Sequence, residues 1–240
     1  MKQSRKVWMV TVGWVILLGA SSGDPVARAA PSFSPLTSGE RLTYRLLWPS
    51  GLNLGEAILE ASPSATETHF QMTVEISLPQ YVLRHSSSSV AAGEGLCSLQ
   101  FREDVDDGTK KWWEETIEFD QVAHEAHRTR NGQTTTDSIP ECAQDPITFL
   151  YYFRSRLAEG KPSDSGTLYR GGSFTVRVRA AGSETVPFRG QQRPTEKFVV
   201  TYPSQNQEMT FELWLSTDAE RLPLRMRVPS PLAVFTAELQ

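Results

Sequence analysis

The sequence predicts a mainly β protein: an antiparallel barrel-like or half-barrel sheet of about eleven to thirteen strands, curved, with one helix packed against its concave side. Three observations predict it. Short runs of alternating apolar and polar residues recur along the chain, with turn signals roughly every 8–12 residues. Only residues 145–160 read as a convincing helix in the part that follows the N-terminal segment, and up to Phe153 that helix is almost wholly apolar or aromatic. A barrel of this strand number is too wide for its own side chains to fill, so the aromatic helix is the expected plug.

The elements follow in order. Leu42, Tyr44 and Leu46 share one face of a strand, with Arg41, Thr43 and Arg45 on the other. Pro49-Ser50-Gly51 is a turn, and residues 52–61 return with Ala57 and Leu59 opposite Glu56 and Glu60. Phe70, Met72, Val74 and Ile76 alternate again until Pro79 stops the run. Residues 81–90 are Ser-rich and weakly patterned, which reads as an edge strand or a mobile flap. Residues 96–105 make the next strand. Trp113, Ile117 and Phe119 then share a face, and residues 121–130 pair with them. Asn131-Gly132 is a hairpin signal, because both residues tolerate the positive φ of a two-residue turn. Residues 133–139 lead to the helix.

Asp145 is a good N-cap, since its carboxylate can accept from free backbone N–H groups of the first turn. Pro146 suits the first helical position, and Gly160 can take the left-handed conformation that ends a helix. A polar loop runs to Gly166. Val176 and Val178 then face one way and Arg177 and Arg179 the other, with a turn at Gly182 before Val186 and Phe188. Residues 197–202, 211–215, 224–228 and 235–239 complete the strands.

Residues 1–29 have the form of a signal peptide. Lys2, Arg5 and Lys6 precede an apolar run over residues 7–20, and Ala27-Arg28-Ala29 offers a small-x-small cleavage site. The run is short for a membrane span of about 20 residues, so cleavage after Ala29 or Ala30 and a periplasmic location are expected. Membrane contact is then confined to this segment before cleavage. Residues 30–38 read as a flexible leader and residues 39–240 as one β-rich domain. The net charge of −4 includes the basic start, so the rest is more acidic still, unlike a nucleic-acid binder. Cys97 and Cys142 are the two cysteines; in an oxidising compartment they favour a disulfide over two buried thiols or a reactive thiol.

No pattern carries catalysis. His124 and His127, three apart on a predicted strand, point to opposite faces, which is wrong for a shared metal. Glu103-Asp104 and Glu114-Glu115 are adjacent pairs whose members diverge across a strand. No nucleophile elbow or phosphate loop occurs. The chain is therefore expected to be no enzyme and to need neither metal nor cofactor. The candidate ligand-binding residues are Phe149, Tyr152, Phe153, Trp113 and Trp214, as lining of an apolar cavity, with Arg177 and Arg179 for an anionic head group. The same aromatics are also what fills a core.

Several segments together resemble a known family. Gly39-Glu40-Arg41-Leu42-Thr43-Tyr44 is similar to its G-E-x-L-x-Y opening, and Leu54-Gly55-Glu56-Ala57 to the G-x-A strand after it. Residues 145–154, D-P-I-T-F-L-Y-Y-F-R, resemble its D-P-x-[ST]-x-L-Y-Y-x-R helix start. Leu213-Trp214-Leu215-Ser216, Asp218 and Arg221-Leu222-Pro223 resemble its L-W-x-[ST]-x-D…R-x-P hairpin. These are marks of domain of unknown function 3108, over residues 39–239 and in the right order. The resemblance implies an exported, barrel-like cell-envelope protein with a helix and no assigned catalytic residue. On this footing the expected function is a binding or carrier module for a lipid-like or hydrophobic ligand. The alternative is a structural partner of envelope proteins in envelope or exopolysaccharide assembly.

Overall fold

The computed structural model of the chain describes residues 33–240 except 79–80, 107–109, 205–206 and 230–232. The expected signal peptide and the start of the leader lie outside the described residues. The strands β1 (Glu40–Leu47), β2 (Asn53–Pro63), β3 (Glu67–Leu78), β4 (Tyr81–Ala92), β5 (Cys97–Asp106), β6 (Lys111–Asp120), β7 (Glu125–Arg130) and β8 (Gln133–Ser138) precede the helix. After the helix α1 (Pro146–Ala158) come β9 (Ser165–Tyr169), β10 (Ser173–Phe188), β11 (Gln191–Ser204), β12 (Gln207–Ser216), β13 (Pro223–Pro229) and β14 (Val234–Leu239).

All fourteen strands form one antiparallel sheet in the order β8-β7-β6-β5-β4-β3-β2-β1-β14-β13-β12-β11-β10-β9. Each strand pairs with its neighbour in sequence, and β1 pairs with β14, Tyr44 opposite Leu239. The sheet is a meander wound round on itself. It stays open between β8 and β9, where the chain leaves to build α1. Fourteen strands exceed the expected eleven to thirteen, partly because β9 sits in a stretch too short and too Gly-containing to read as a strand.

The helix forms as its caps predict. The Asp145 carboxylate accepts from the Ile147 and Thr148 amides at 2.8 and 3.1 Å, and Thr148 returns a bond to the Asp145 amide, closing a capping box. Gly160 takes φ +72 beyond the C-terminus. Two faces of α1 are covered by different parts of the sheet. Ile147 and Tyr151 join the larger core with Leu42, Tyr44, Phe70, Phe101 and Ile117. Phe149, Phe153 and Leu157, four residues apart, join a second core with Val176, Phe198, Val200 and Leu213. Strands from distant parts of the sheet meet one helix only if the sheet bends around it. The helix thus occupies the concave side.

Three local readings are corrected. Residues 81–90 are neither edge nor flap: β4 is an inner strand, flanked by β3 and β5. Two of its four serines, Ser87 and Ser89, mislead because they are buried on the inward face. Ser89 and Ser98 both donate to the fully buried Asp145 carboxylate, so small polar groups replace apolar ones there. Gly182 makes no turn: β10 runs through it, and the register with β11 shifts between Ala180 and Ser183, a bulge rather than a reversal. Part of the stretch assigned to the leader, residues 33–36, is ordered against the body, while Thr37 and Ser38 are exposed. The ordered part includes a 3-10 turn at Ser34–Leu36, and Phe33 is buried against the larger core.

The loop into α1 is fastened four ways. Cys97 and Cys142 form a disulfide with Cα atoms 4.6 Å apart. The Ser98 amide donates to the Ala143 carbonyl at 3.0 Å, and the Gln121 amide group holds both faces of Ala143. The Tyr169 amide of β9 donates to the Gln144 carbonyl at 2.8 Å, so this loop covers part of the β9 edge. Position 95 must be glycine, because a Cβ there would lie 2.7 Å from the Cys142 sulfur.

Candidate functional site

The motif residues converge on the helix seat. Arg154, fully buried on α1, forms a forked ion pair with Glu40 of β1. Its remaining donors reach the carbonyls of Arg221 and Glu220 at 3.0 and 3.2 Å. The turn supplying those carbonyls is folded by Ser216 and Asp218, bonded at 2.7 Å. Tyr151 and Phe33 place their rings over the Arg154 guanidinium at 4.9 and 5.1 Å. Glu40, Arg154, Ser216, Asp218 and Arg221 come from three separate segments and build one lock that holds the helix. Their role on this geometry is structural.

A second polar cluster lies on the concave face of β4–β7. Adjacent carboxylates diverge as expected, yet two from different strands converge: Glu103 of β5 stands directly opposite Glu115 of β6. Both are buried. Glu103 accepts two bonds from Arg170, at 2.7 and 2.6 Å, and lies 2.7 Å from His85 Nε2. Glu115 Oε2 accepts both Nε and Nη2 of Arg128, while Oε1 has no partner. Arg170 and Gly171 come from the β9–β10 hairpin. Gly171, at φ +68, lets that backbone reach Arg128, since a Cβ would lie 2.9 Å from the guanidinium carbon. Sequence reasoning missed this cluster because only cross-strand register assembles it.

Ser87 Oγ lies 3.1 Å from His85 Nε2, which completes a Ser, His and Glu set. A relay needs the acid on the nitrogen opposite the serine. Here Ser87 and Glu103 share Nε2, so this arrangement does not activate the serine. The cluster has an acid signature instead. Burial raises the Glu103 carboxyl, but the His85 hydrogen bond and the Arg170 charge outweigh it and hold the group below its ordinary range. A carboxyl lowered by folding adds stability above its unfolded value and loses it as pH falls through the folded one. Stability is therefore expected to hold down to about pH 5 and to fall below it, with Glu103 supplying at most about 1.4 kcal/mol per pH unit. Glu103→Gln should flatten that slope in urea midpoints taken from pH 6 to 3; equal slopes would remove Glu103 as a source.

The anticipated ligand residues fall on opposite faces of the sheet. Phe149 and Phe153 stack within the second core with 7% and 2% of their surface uncovered, so they line no lipid-sized space. Tyr152 is half-buried against the larger core. Trp113 is also concave, with the Arg130 guanidinium 3.6 Å from its ring centre. Arg177 and Arg179, which alternate with the buried Val176 and Val178, are on the convex face. Trp214 is buried as a member of the larger core, with Lys197 and Arg225 over its ring and its indole N–H donating to Glu184. Arg177 is exposed and paired with Glu208, and Arg179 is exposed.

The same convex face carries a groove at one end of the sheet. The β1–β2 and β13–β14 hairpins lie side by side and enclose about 510 Å³, lined by Leu47, Trp48, Pro49, Val234, Arg225 and Arg227 among others. Among the described residues, three of the four exposed large hydrophobics sit at this end: Leu52, Val228 and Val234. Trp48 packs edge-on against Phe235, ring centres 5.4 Å apart. Next to the groove, Glu238 is shared by Arg45 and Arg225, and Glu212 by Lys197 and Arg227. Two arginines and one carboxylate, Glu238, line the groove itself, in a chain of negative net charge.

No curated protein matches the chain. Among solved structures it is similar to a beta-barrel-like protein of domain of unknown function DUF1849 from Brucella abortus. That likeness has a TM-score of 0.58 at 14% identity and covers 83% of this chain and 94% of the other, and it supports the wound sheet alone. The family model for proteins of unknown function DUF3108 matches residues 41–240, which include Tyr44, Asp145, Arg154 and the Ser216–Arg221 turn of the helix seat. The chain belongs to the DUF3108 family.

Proposed function

We propose that this is an exported, non-catalytic module of the cell envelope that binds a lipid-like anionic amphiphile in the groove between the β1–β2 and β13–β14 hairpins. One observation carries the reading: a groove of about 510 Å³ is lined by the apolar side chains of Leu47, Trp48, Pro49 and Val234 together with two arginines, Arg225 and Arg227. Ligand sites of roughly 300–1,000 Å³ that are mainly apolar with a few polar groups suit amphiphiles. The helix-filled interior argues against a carrier that swallows its cargo, so the ligand is held outside the sheet. The two cysteines in one disulfide suit an oxidising compartment.

Purified mature protein is expected to bind vesicles of phosphatidylglycerol and phosphatidylcholine more tightly than phosphatidylcholine alone, and less tightly at high salt. Trp48→Ala combined with Val234→Ser should weaken binding about tenfold, close to 1.4 kcal/mol. Equal sedimentation of variant and native protein with the vesicles would refute the site. Absence of vesicle binding would favour the alternative reading, an assembly partner that uses the same end to contact another envelope protein.

A further inference from the structure

The concave face beside β8 holds a hollow of about 170 Å³ lined by Arg128, Arg130, Asn131, Gln133 and Thr135. Among the described residues no carboxylate lines it, although acidic residues outnumber basic ones in the chain. Its two arginines differ. Arg128 is committed to Glu115 through Nε and Nη2. Arg130 stands opposite Glu115 in the β6–β7 register, yet its guanidinium carbon sits over Trp113 instead, 3.6 Å from the ring centre. A guanidinium held over an aromatic ring can still offer N–H donors to an acceptor. The hollow is too small for an acyl chain and has the amide and hydroxyl groups that supplement an arginine at an anion.

We propose that Arg130, fixed on Trp113 and assisted by Gln133 and Thr135, binds a small oxyanion, the carboxylate or phosphate group of a ligand that approaches along the open β8 side. A forked guanidinium matches either group with two parallel hydrogen bonds. The site lies on the face of the sheet opposite the apolar groove, so it stands or falls independently of lipid binding.

Calorimetric titration of the mature protein with inorganic phosphate and with acetate, at constant ionic strength set by chloride, tests the site. Saturable binding of at least one probe is expected, and the tighter probe identifies the group. Arg130→Gln should weaken it tenfold or more, and Thr135→Val severalfold. Arg193→Gln, which removes an exposed pair with Asp218 outside the hollow, should leave it unchanged. Binding should also change the tryptophan emission of the native protein but not of Trp113→Phe. Urea midpoints of the Arg130 variant and the native protein should agree, which separates lost binding from lost folding. The proposal is overturned if neither probe binds above the chloride background, or if Arg130→Gln binds as the native protein does.

Discussion

Arg154→Leu is expected to lower stability by about 3–5 kcal/mol, the usual loss when one partner of a buried ion pair is removed. The arginine has no exposed surface, and Glu40 has 11%. Leucine would leave the Glu40 carboxylate unpaired in the core and strip donors from the carbonyls of Glu220 and Arg221. Arg154→Lys keeps the charge but not the fork, and an intermediate loss is expected. Pairing Arg154→Leu with Glu40→Gln should restore part of the stability, because the stranded charge is gone. Urea midpoints of the four proteins give the comparison. A loss below about 1 kcal/mol for Arg154→Leu would show that desolvation already offsets the pair.

Replacing both cysteines by serine is expected to cost about 4 kcal/mol on the chain-entropy model, for a bridge that spans a sequence separation of 45. The bridge joins the start of β5 to the loop that delivers α1, so the loss should show first as faster hydrogen exchange at Ala143 and Phe149. Denaturant melts of the native protein with and without reductant should reproduce the difference. If it falls below about 1 kcal/mol, the Gln121 bonds and the Ser98 amide hold the loop without covalent help.

The sequence and the structure agree where local chemistry decides. Asp145, Pro146 and Gly160 mark the helix ends because capping involves neighbours only. Asn131-Gly132 makes the β7–β8 turn with positive φ at both residues, 51° and 76°. Agreement fails where distant segments decide. Ser89 of β4 looks like a solvated polar residue until Asp145 arrives beneath it. The Glu103–Glu115 cluster depends on β5–β6 register, which no adjacent pair reveals. Alternation separates Arg177 and Arg179 from Val176 and Val178, so their convex placement was readable; that Phe149 and Phe153 pack rather than line a cavity was not. The groove by Trp48 was hidden as well, because its two hairpins are joined only through the β1–β14 pairing.

That pairing constrains how the molecule is made. Tyr44 to Leu47 meet Leu239 to Thr236 across almost the whole length of the chain. Among the described strands every other pairing joins neighbours in sequence, but this seam pays the loop-closure entropy of all the strands between β1 and β14. Until residues 234–239 arrive, β1 presents a naked edge and the aromatic helix has an incomplete enclosure, the conditions under which nascent β proteins associate wrongly. Closing this seam is thus expected to be the slow step of folding, and the interval before it the one in which the chain is most open to wrong association.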